Sequence, residues 1–512
     1  MRAIEKNDLA RQLLSDVTAL RNEVAREGAA TFRRWRPKIE RRVFAVSAYN
    51  FAHYLALRQR DLRPLQRRLM ALGLSSLGRV EGRVLASLDA VTAALAAMVG
   101  GAPSRGVETP SERQFFRGEA KLRANAREIF GLQRVRRAGR ILVTLDTAAA
   151  DDPALMRSLA EDGADAARIN CAHDDAACWS RMIANIREAA RHIAHPIPIL
   201  MDIAGPKSRT GAILAPPSRH RIVVGDELLL CRGAQLCGGE PLFQTTCTLP
   251  EIVDQLKIGD AVALDDSKLL GRIVREERGG FVVLIEEGRP KGLKLKPGRG
   301  LTFPNADLKL DPLTDKDQRD LDFVLANADM VGYSFVESAA HVAELQRELA
   351  SRRTDWRKFP LVAKIETARA LKNLPEIIVA AAGRQPLAVM IARGDLAVGI
   401  GFERVAEMQE EMLWLCEAAH IPAIWATQVL EGLVTKGAPS RGEMTDAAMA
   451  ARAEVVMLNK GPQLSAGVCA LDRLLQRMGE HQVKKTPTLR ALRTWSKPAA
   501  RSQAKETEPA TP

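Results

Sequence analysis

From Arg140 onward the chain repeats one pattern: a short continuous apolar run, then a longer stretch with apolar positions at helical spacing. The runs are Ile141–Leu145, Ala166–Asn170, Pro198–Asp202, Met330–Phe335, Leu361–Glu366, Leu387–Ala392, Pro422–Ala426 and Val455–Leu458. Continuous runs of this length mark strands buried on both faces, with helices between them. Eight such strand–helix units predict an α/β fold, a (β/α)8 TIM barrel filled by side chains, with reactive groups at the carboxyl ends of its strands.

One interval is too long for a single unit. Between Asp202 and Met330, short alternating runs such as Arg221-Ile-Val-Val-Gly-Asp and Gly280-Phe-Val-Val-Leu-Ile are punctuated by turn residues. They predict a small all-β domain inserted after the third strand, over residues 212–300, placed to act as a lid. The barrel is then expected over 131–211 and 301–482. Residues 1–130 carry helical periodicity instead, in Leu13, Val17, Leu20 and Val24 and in Leu85, Leu88, Val91, Leu95 and Met98. The segment Gly100-Gly-Ala-Pro-Ser-Arg-Gly breaks this helical amino-terminal extension. From Val483 to the end, periodicity is lost and a disordered tail is expected.

Composition narrows the class. The 512 residues suffice for several domains. Seven cysteines, without paired spacing, suit reduced thiols in a cytoplasmic protein rather than disulfides or a zinc site. The start of the chain lacks a signal-peptide core and no apolar stretch is long enough to span a bilayer, so no membrane partner is expected. A net charge of +13 invites anionic partners, but an aromatic content of 4% leaves little for stacking on bases. Nucleic acid is therefore not favoured over small anionic substrates drawn to a basic cleft. Basic clusters at Arg33, Arg34, Arg36, Lys38, Arg41 and Arg42, and at Arg67 and Arg68, read as solvated helix faces before they read as a surface for an acidic partner.

The strand ends carry Arg168 and Asn170, Asp202, Lys364 and Glu366, Asp395, and Thr427 with Gln428. Residues two apart on a strand share a face, so Arg168 with Asn170, and Lys364 with Glu366, can point into one mouth. A single pair reads as a structural salt bridge; polar ends on six strands together read as an active site.

These residues resemble the pyruvate kinase family. The resemblance runs through Ala167-Arg168-Ile169-Asn170, Met201-Asp202-Ile-Ala-Gly205-Pro206-Lys207-Ser-Arg209-Thr210-Gly211, Leu313-Thr314-Asp315-Lys316-Asp317, Lys364-Ile-Glu366, Ala392-Arg393-Gly394-Asp395 and Ala426-Thr427-Gln428, over about residues 138–470. It implies phosphoryl transfer from phosphoenolpyruvate to ADP, giving pyruvate and ATP. It assigns Mg²⁺, with Mn²⁺ as a substitute, to Glu366 and Asp395. Lys364 would stabilise the transferring group and the enolate, Arg168, Asn170, Arg209 and Arg299 would serve phosphate or nucleotide, and Thr427 would belong to the relay protonating the enolate carbon. The backbone amides of Arg393, Gly394 and Asp395 would receive the substrate carboxylate, given a helix starting there.

The chain also departs from the family. Of its monovalent-cation ligands Asn170 and Asp202 remain, but Ala172 and Ile203 replace a serine and a threonine. Lys207 stands where a glutamate is common and offers an ammonium in place of K⁺, so K⁺ independence is expected. Ala204, Asp146-Thr147 and Lys460-Gly461-Pro462 also differ, on the nucleotide side of the mouth. The family's carboxyl-terminal regulatory domain finds no room, while a homo-oligomer remains compatible with the sequence. Two other readings stand beside the kinase: a metal-dependent lyase or aldolase acting on a pyruvate enolate, and a non-catalytic sensor or scaffold. His173 is expected to act through hydrogen bonds only, Cys171 to pack behind its strand, and Asp265-Asp266 to form a turn.

Overall fold

The computed structural model describes residues 3–487, except 102–106, 108, 135–136, 138, 218, 238–242, 266 and 278. Asp266, most of the break after Gly101 and the segment from 488 onward lie outside the described residues. Eight parallel strands close into a barrel in chain order: β1 (Arg140–Thr144), β2 (Ala166–Asn170), β3 (Ile199–Ile203), β4 (Met330–Tyr333), β5 (Leu361–Ile365), β6 (Leu387–Ala392), β7 (Ala423–Ala426) and β8 (Val455–Leu458). β4 ends before Phe335 because that residue takes a left-handed φ of 55°, which turns the chain out of the sheet.

Side-chain alternation divides each strand between two cores. Ile141, Val143, Ala167, Ile169, Met201 and Ile203 face the surrounding helices, while Leu142, Ala166, Leu200, Met330, Val362, Met390, Ile424 and Val455 fill the barrel. Continuing the inner face of β2, β3 and β5 toward their carboxyl ends gives Arg168 and Asn170, Asp202, then Lys364 and Glu366. The filling is thus apolar below and charged at the top. Removing the lower layer from water supplies the burial energy, at about 25 cal/mol per Å², that holds the charged layer in place.

The inserted segment forms a seven-stranded sheet from Thr210–Leu214 to Leu301–Thr302, with its own core including Phe243, Phe281, Ile273 and Leu228. Two adjacent chain segments tie it to the barrel, pairing as a bridge between Arg209 and Gly300.

The amino-terminal extension is helical: Ala3–Trp35, Arg42–Leu57, Arg63–Ala71, Val84–Met98, Glu112–Phe115 and Arg117–Phe130. Leu13, Val17 and Val24 are buried as their spacing implies, but Met98 is exposed, and the seam of its helix runs through Val84, Leu88, Val91 and Leu95. Several basic residues expected on a solvated face are engaged within the chain: Lys38 with Glu376, Arg41 with Glu128 and Arg68 with Asp16. The extension covers the amino-terminal end of the barrel, and its last helix inserts Ile129 and Phe130 into the barrel filling. Close approach matters here: a Cβ on Gly118 would fall on the carbonyl of Gly82 and crowd His420. At the other end of the chain, Gln482–Val483 pairs with Thr486–Pro487, so order reaches into the segment expected to be a tail.

His420 joins the extension to the barrel, its Nδ1 2.9 Å from Ser47 Oγ and its Nε2 3.1 Å from the Gly82 carbonyl. Burial lowers its pKa from 6.5 to about 4. An unfolded histidine takes up a proton that the folded one refuses, so stability falls as pH drops from 6.5 toward 4, by about 3 kcal/mol in total. His420→Asn, which tolerates the left-handed φ of 54° at this position, should flatten that dependence in urea unfolding between those pH values.

Candidate active site

The charged layer at the carboxyl ends of the strands centres on Asp202, which is fully buried on β3. Its Oδ2 accepts from Arg168 Nε at 2.8 Å and lies 3.3 Å from Lys364 Nζ. Lys364 Nζ also reaches Glu366 Oε1 at 3.1 Å and donates to Ser334 Oγ at 2.7 Å. Glu366 Oε2 accepts the Phe335 amide at 2.6 Å, and Arg168 donates to Thr144 Oγ1 at 3.2 Å. Gly332 on β4 makes the room: any Cβ there would land on Asp202 Oδ1.

Burial opposes charge at each of these positions; the neighbours win at Asp202 and Lys364, and burial wins at Glu366. At Asp202 burial raises the pKa, but Arg168 and Lys364 outweigh it and hold the carboxyl below its ordinary value. Burial would lower Lys364, but Glu366 and Asp202 keep its pKa above the usual lysine value, so the ammonium stays charged. Burial raises Glu366; Lys364 opposes the shift and the charge of Asp395 adds to it.

A second group enters from β6 and β7. The helix Arg393–Ile400 starts directly after β6, placing the amides of Arg393, Gly394 and Asp395 in its first turn. The Gly394 amide donates to Thr427 Oγ1 at 2.9 Å, so the threonine hydroxyl, not open space, faces that donor. Thr427 and Gln428 both have left-handed backbones, φ 64° and 57°. The Arg393 guanidinium holds this turn through the Thr427 carbonyl at 2.6 Å, the Ala426 carbonyl at 3.0 Å and Asp446 Oδ2 at 2.9 Å, while stacking on Trp425. The side chain of Arg393 is thereby a clamp on Thr427, and only its backbone remains for a ligand.

A cavity of about 310 Å³ joins the two groups, lined among others by Arg168, Asn170, Lys207, Arg209, Lys364, Glu366, Asp395 and Thr427. Lys207 is not turned to solvent: its Nζ lies 2.6 Å from Asp395 Oδ1. Arg209 is half-buried at the lid edge and donates to the Gly298 carbonyl. Arg299 is not among the lining residues; its guanidinium pairs inside the lid with Asp265 Oδ1 at 3.2 Å, because the lid turn that carries Asp265 lies nearer than the mouth. Cys171 is buried, and His173 stands exposed at the rim. Sequence reasoning missed Thr144, Ser334 and Asp446. The inner-face alternation Met330, Gly332, Ser334 carried a signal for the second; Asp446, on a later helix, had none.

The carboxylates fit a hard divalent cation. Glu366 and Asp395 line the same cavity, offer oxygen only, and repel one another, which a cation between them would relieve. The monovalent-cation set is only partly engaged: Asn170 Oδ1 accepts the Ala172 amide at 3.1 Å and Asp202 Oδ2 is taken by Arg168 and Lys364, while Asp202 Oδ1 is buried without a hydrogen-bond partner and the Ile203 side chain faces the outer core. Among the described residues no cluster of three or more His, Cys, Asp or Glu forms a metal site.

Fold and mouth define an α/β-barrel protein with a β lid over a lysine–carboxylate centre. The family model described as pyruvate kinase, barrel domain, matches residues 136–462. A pyruvate kinase from Mycobacterium intracellulare is 30% identical over 371 residues, 70% of this chain and 74% of that protein. One from Methylorubrum extorquens is 32% identical over 64% of this chain and 65% of its own length; a human pyruvate kinase is 30% identical over 59% and 53%. The chain belongs to the pyruvate kinase family, whose named members are phosphotransferases. No helix among the described residues is long and apolar enough to cross a membrane.

Removing Asp202 leaves the buried Arg168 without a carboxylate and Lys364 with Glu366 alone, so Asp202→Ala should cost about 3–5 kcal/mol in urea unfolding. Lys207→Ala breaks only the partly exposed pair with Asp395 and should cost at most about 1 kcal/mol.

Proposed function

We propose that this protein moves a phosphoryl group from phosphoenolpyruvate to ADP, giving pyruvate and ATP, with Mg²⁺ and without a need for K⁺. The observation that carries this reading is the Lys364 ammonium, kept charged between Asp202 and Glu366 and facing the same cavity as Thr427. Phosphoryl transfer asks a protein for in-line positioning and fixed positive charge more than for covalent chemistry. Lys364 and Arg168 would meet the negative charge that builds on the phosphoryl and enolate oxygens, and need little rearrangement because their own partners already hold them. Arg209 at the lid edge would add charge from above as the lid closes.

Glu366 and Asp395 would hold Mg²⁺, with Mn²⁺ able to take its place. When bound, the ion supplies charge against the substrate's carboxylate, enolate and phosphoryl oxygens. Thr427 accepts the Gly394 amide, which leaves its own hydroxyl proton free to point at the enolate carbon. A hydroxyl is a weak acid, so this proton would pass through water. Arg393 and Asp446 keep Thr427 in its strained turn while it does so. For K⁺, Lys207 already places a fixed ammonium on Asp395, which favours a reaction that runs without the ion. Asn170 and Asp202 remain as the vestige of a monovalent-cation site, and Arg299 would contribute to phosphate only by leaving Asp265.

A coupled assay for pyruvate release from phosphoenolpyruvate, with and without ADP and Mg²⁺, tests the reaction. Release that needs both supports the kinase; release without ADP supports lyase-type chemistry, and none at all supports a sensor. Lys364→Met should lower kcat by about a hundredfold or more in a protein whose circular dichroism is unchanged. Retained activity in that variant sinks the assignment of the lysine. Adding K⁺ to a tetramethylammonium buffer should leave the rate close to its starting value; a strong rise would overturn K⁺ independence.

A further inference from the structure

We propose that Cys231 and Cys237, in the inserted domain, form a reversible disulfide when a hydroperoxide oxidises them. Cys231 ends the strand Glu227–Cys231, with its Cα opposite Gly280 of the strand Gly280–Gly288. Leu228 and Leu230 point into the main core of this domain, so Leu229 and Cys231 point to the other face, where Val282 joins them and Leu236 packs against them. The chain thus folds back over the sheet after Cys231. The Arg232 amide and the Cys237 thiol both donate to the Gly279 carbonyl, at 2.7 and 3.1 Å. Gln244 holds the turn from its other side: its Oε1 accepts the Cys237 amide at 3.1 Å and lies 3.8 Å from Cys231 Sγ. The two thiols are hydrogen-bonded to each other, and the Cys237 amide also donates to the Cys231 sulfur. Gly279 makes the room, since a Cβ there would stand 2.7 Å from Cys237 Sγ. Backbone contacts therefore hold the sulfurs side by side before any bond joins them, as a disulfide requires.

Exposure divides the roles of the pair. Cys237 is exposed, Cys469 is half-buried and the other five thiols are buried. Burial pushes the Cys231 thiol up to about 12, and raises Cys171, Cys178, Cys247 and Cys416 as well. A buried, protonated thiol is inert toward an oxidant in solution, so attack begins at Cys237. Its thiolate attacks one peroxide oxygen, the O–O bond breaks, and a sulfenic acid forms with release of water, or of an alcohol from an organic hydroperoxide. The Cys231 sulfur then displaces the hydroxyl. The S–S bond forms, the S–O bond breaks, and the Cys231 proton leaves with the hydroxyl as water. Two thiols are oxidised and one peroxide is reduced; a dithiol reverses the change by exchange.

An exposed thiol with no second sulfur beside it goes on to the irreversible sulfinic acid, and Cys231 stops Cys237 before that stage. Once closed, the bridge pins residues 232–236 across the sheet. Neither sulfur lines the mouth cavity, so this assignment stands apart from the phosphoryl-transfer reading.

Peptide mapping of the full chain tests the pair, because Arg232 lies between the two sulfurs and trypsin parts them into peptides 222–232 and 233–257. The folded protein is exposed briefly to equimolar hydrogen peroxide, then unfolded and its remaining thiols alkylated. The two peptides should appear joined, with fragment ions placing the bond at Cys237 and not at Cys247, and dithiothreitol should separate them. The other five cysteines should all be alkylated. Cys237→Ser, at an exposed position, should abolish the joined species, and Cys231→Ser should let Cys237 run on to sulfinic acid. If Cys231→Ser does not fold, the map and Cys237→Ser decide. The proposal is overturned by peptides that stay apart, by a bond from Cys237 to Cys247 or to a second chain, or by equal sulfinic acid at Cys237 with and without Cys231.

Discussion

The contact between Asp202 and the two cations beside it is the constraint on which the mouth depends. A carboxylate with no exposed surface is tolerable only because Arg168 and Lys364 both reach one of its oxygens. They in turn are fixed by it, with Ser334, Thr144 and Glu366 taking up remaining donors. Such a cluster contributes little net stability, since desolvation offsets most of the attraction. What it secures is position. An ammonium held between two carboxylates cannot drift, so it stands ready for whatever negative charge enters the cavity.

The rest of the fold supplies the conditions for that cluster. Apolar side chains from all eight strands, with Ile129 and Phe130 of the extension, fill the barrel from below and keep water from its charged layer. The inserted domain has a core of its own, and the chain enters and leaves it through two neighbouring segments paired at Arg209 and Gly300. Thr427 is handled differently. Its left-handed backbone is disfavoured, and it persists because Arg393 ties its carbonyl to a helix two elements further along the chain.

Much of this was legible from residue order. The eight barrel strands lie within a residue or two of their apolar runs, since strands buried on both faces leave an unbroken hydrophobic trace. Lys364 with Glu366, and Arg168 with Asn170, could be placed on one face from their spacing of two. The partners of Arg299 and of the Arg393 side chain were not legible, for one reason: a motif gives a residue's neighbours in sequence, while a guanidinium on a long stem pairs with the nearest carboxylate in space. Asp265 and Asp446 were those carboxylates. The helical seam that ends at Leu95 and not Met98 reflects the neighbour it meets, which periodicity does not name.

By itself, then, the sequence determined the barrel, the insertion, the helical extension and the identities of the groups at the strand ends. Local periodicity and burial on both faces are written residue by residue. Tertiary structure alone decided which groups meet: that Lys207 rests on Asp395, that Thr427 covers the Gly394 amide, and that Arg140 is buried against the Gly131 carbonyl. Pairing of charges depends on distances of a few ångströms between segments far apart in the chain, and no one-dimensional pattern records them.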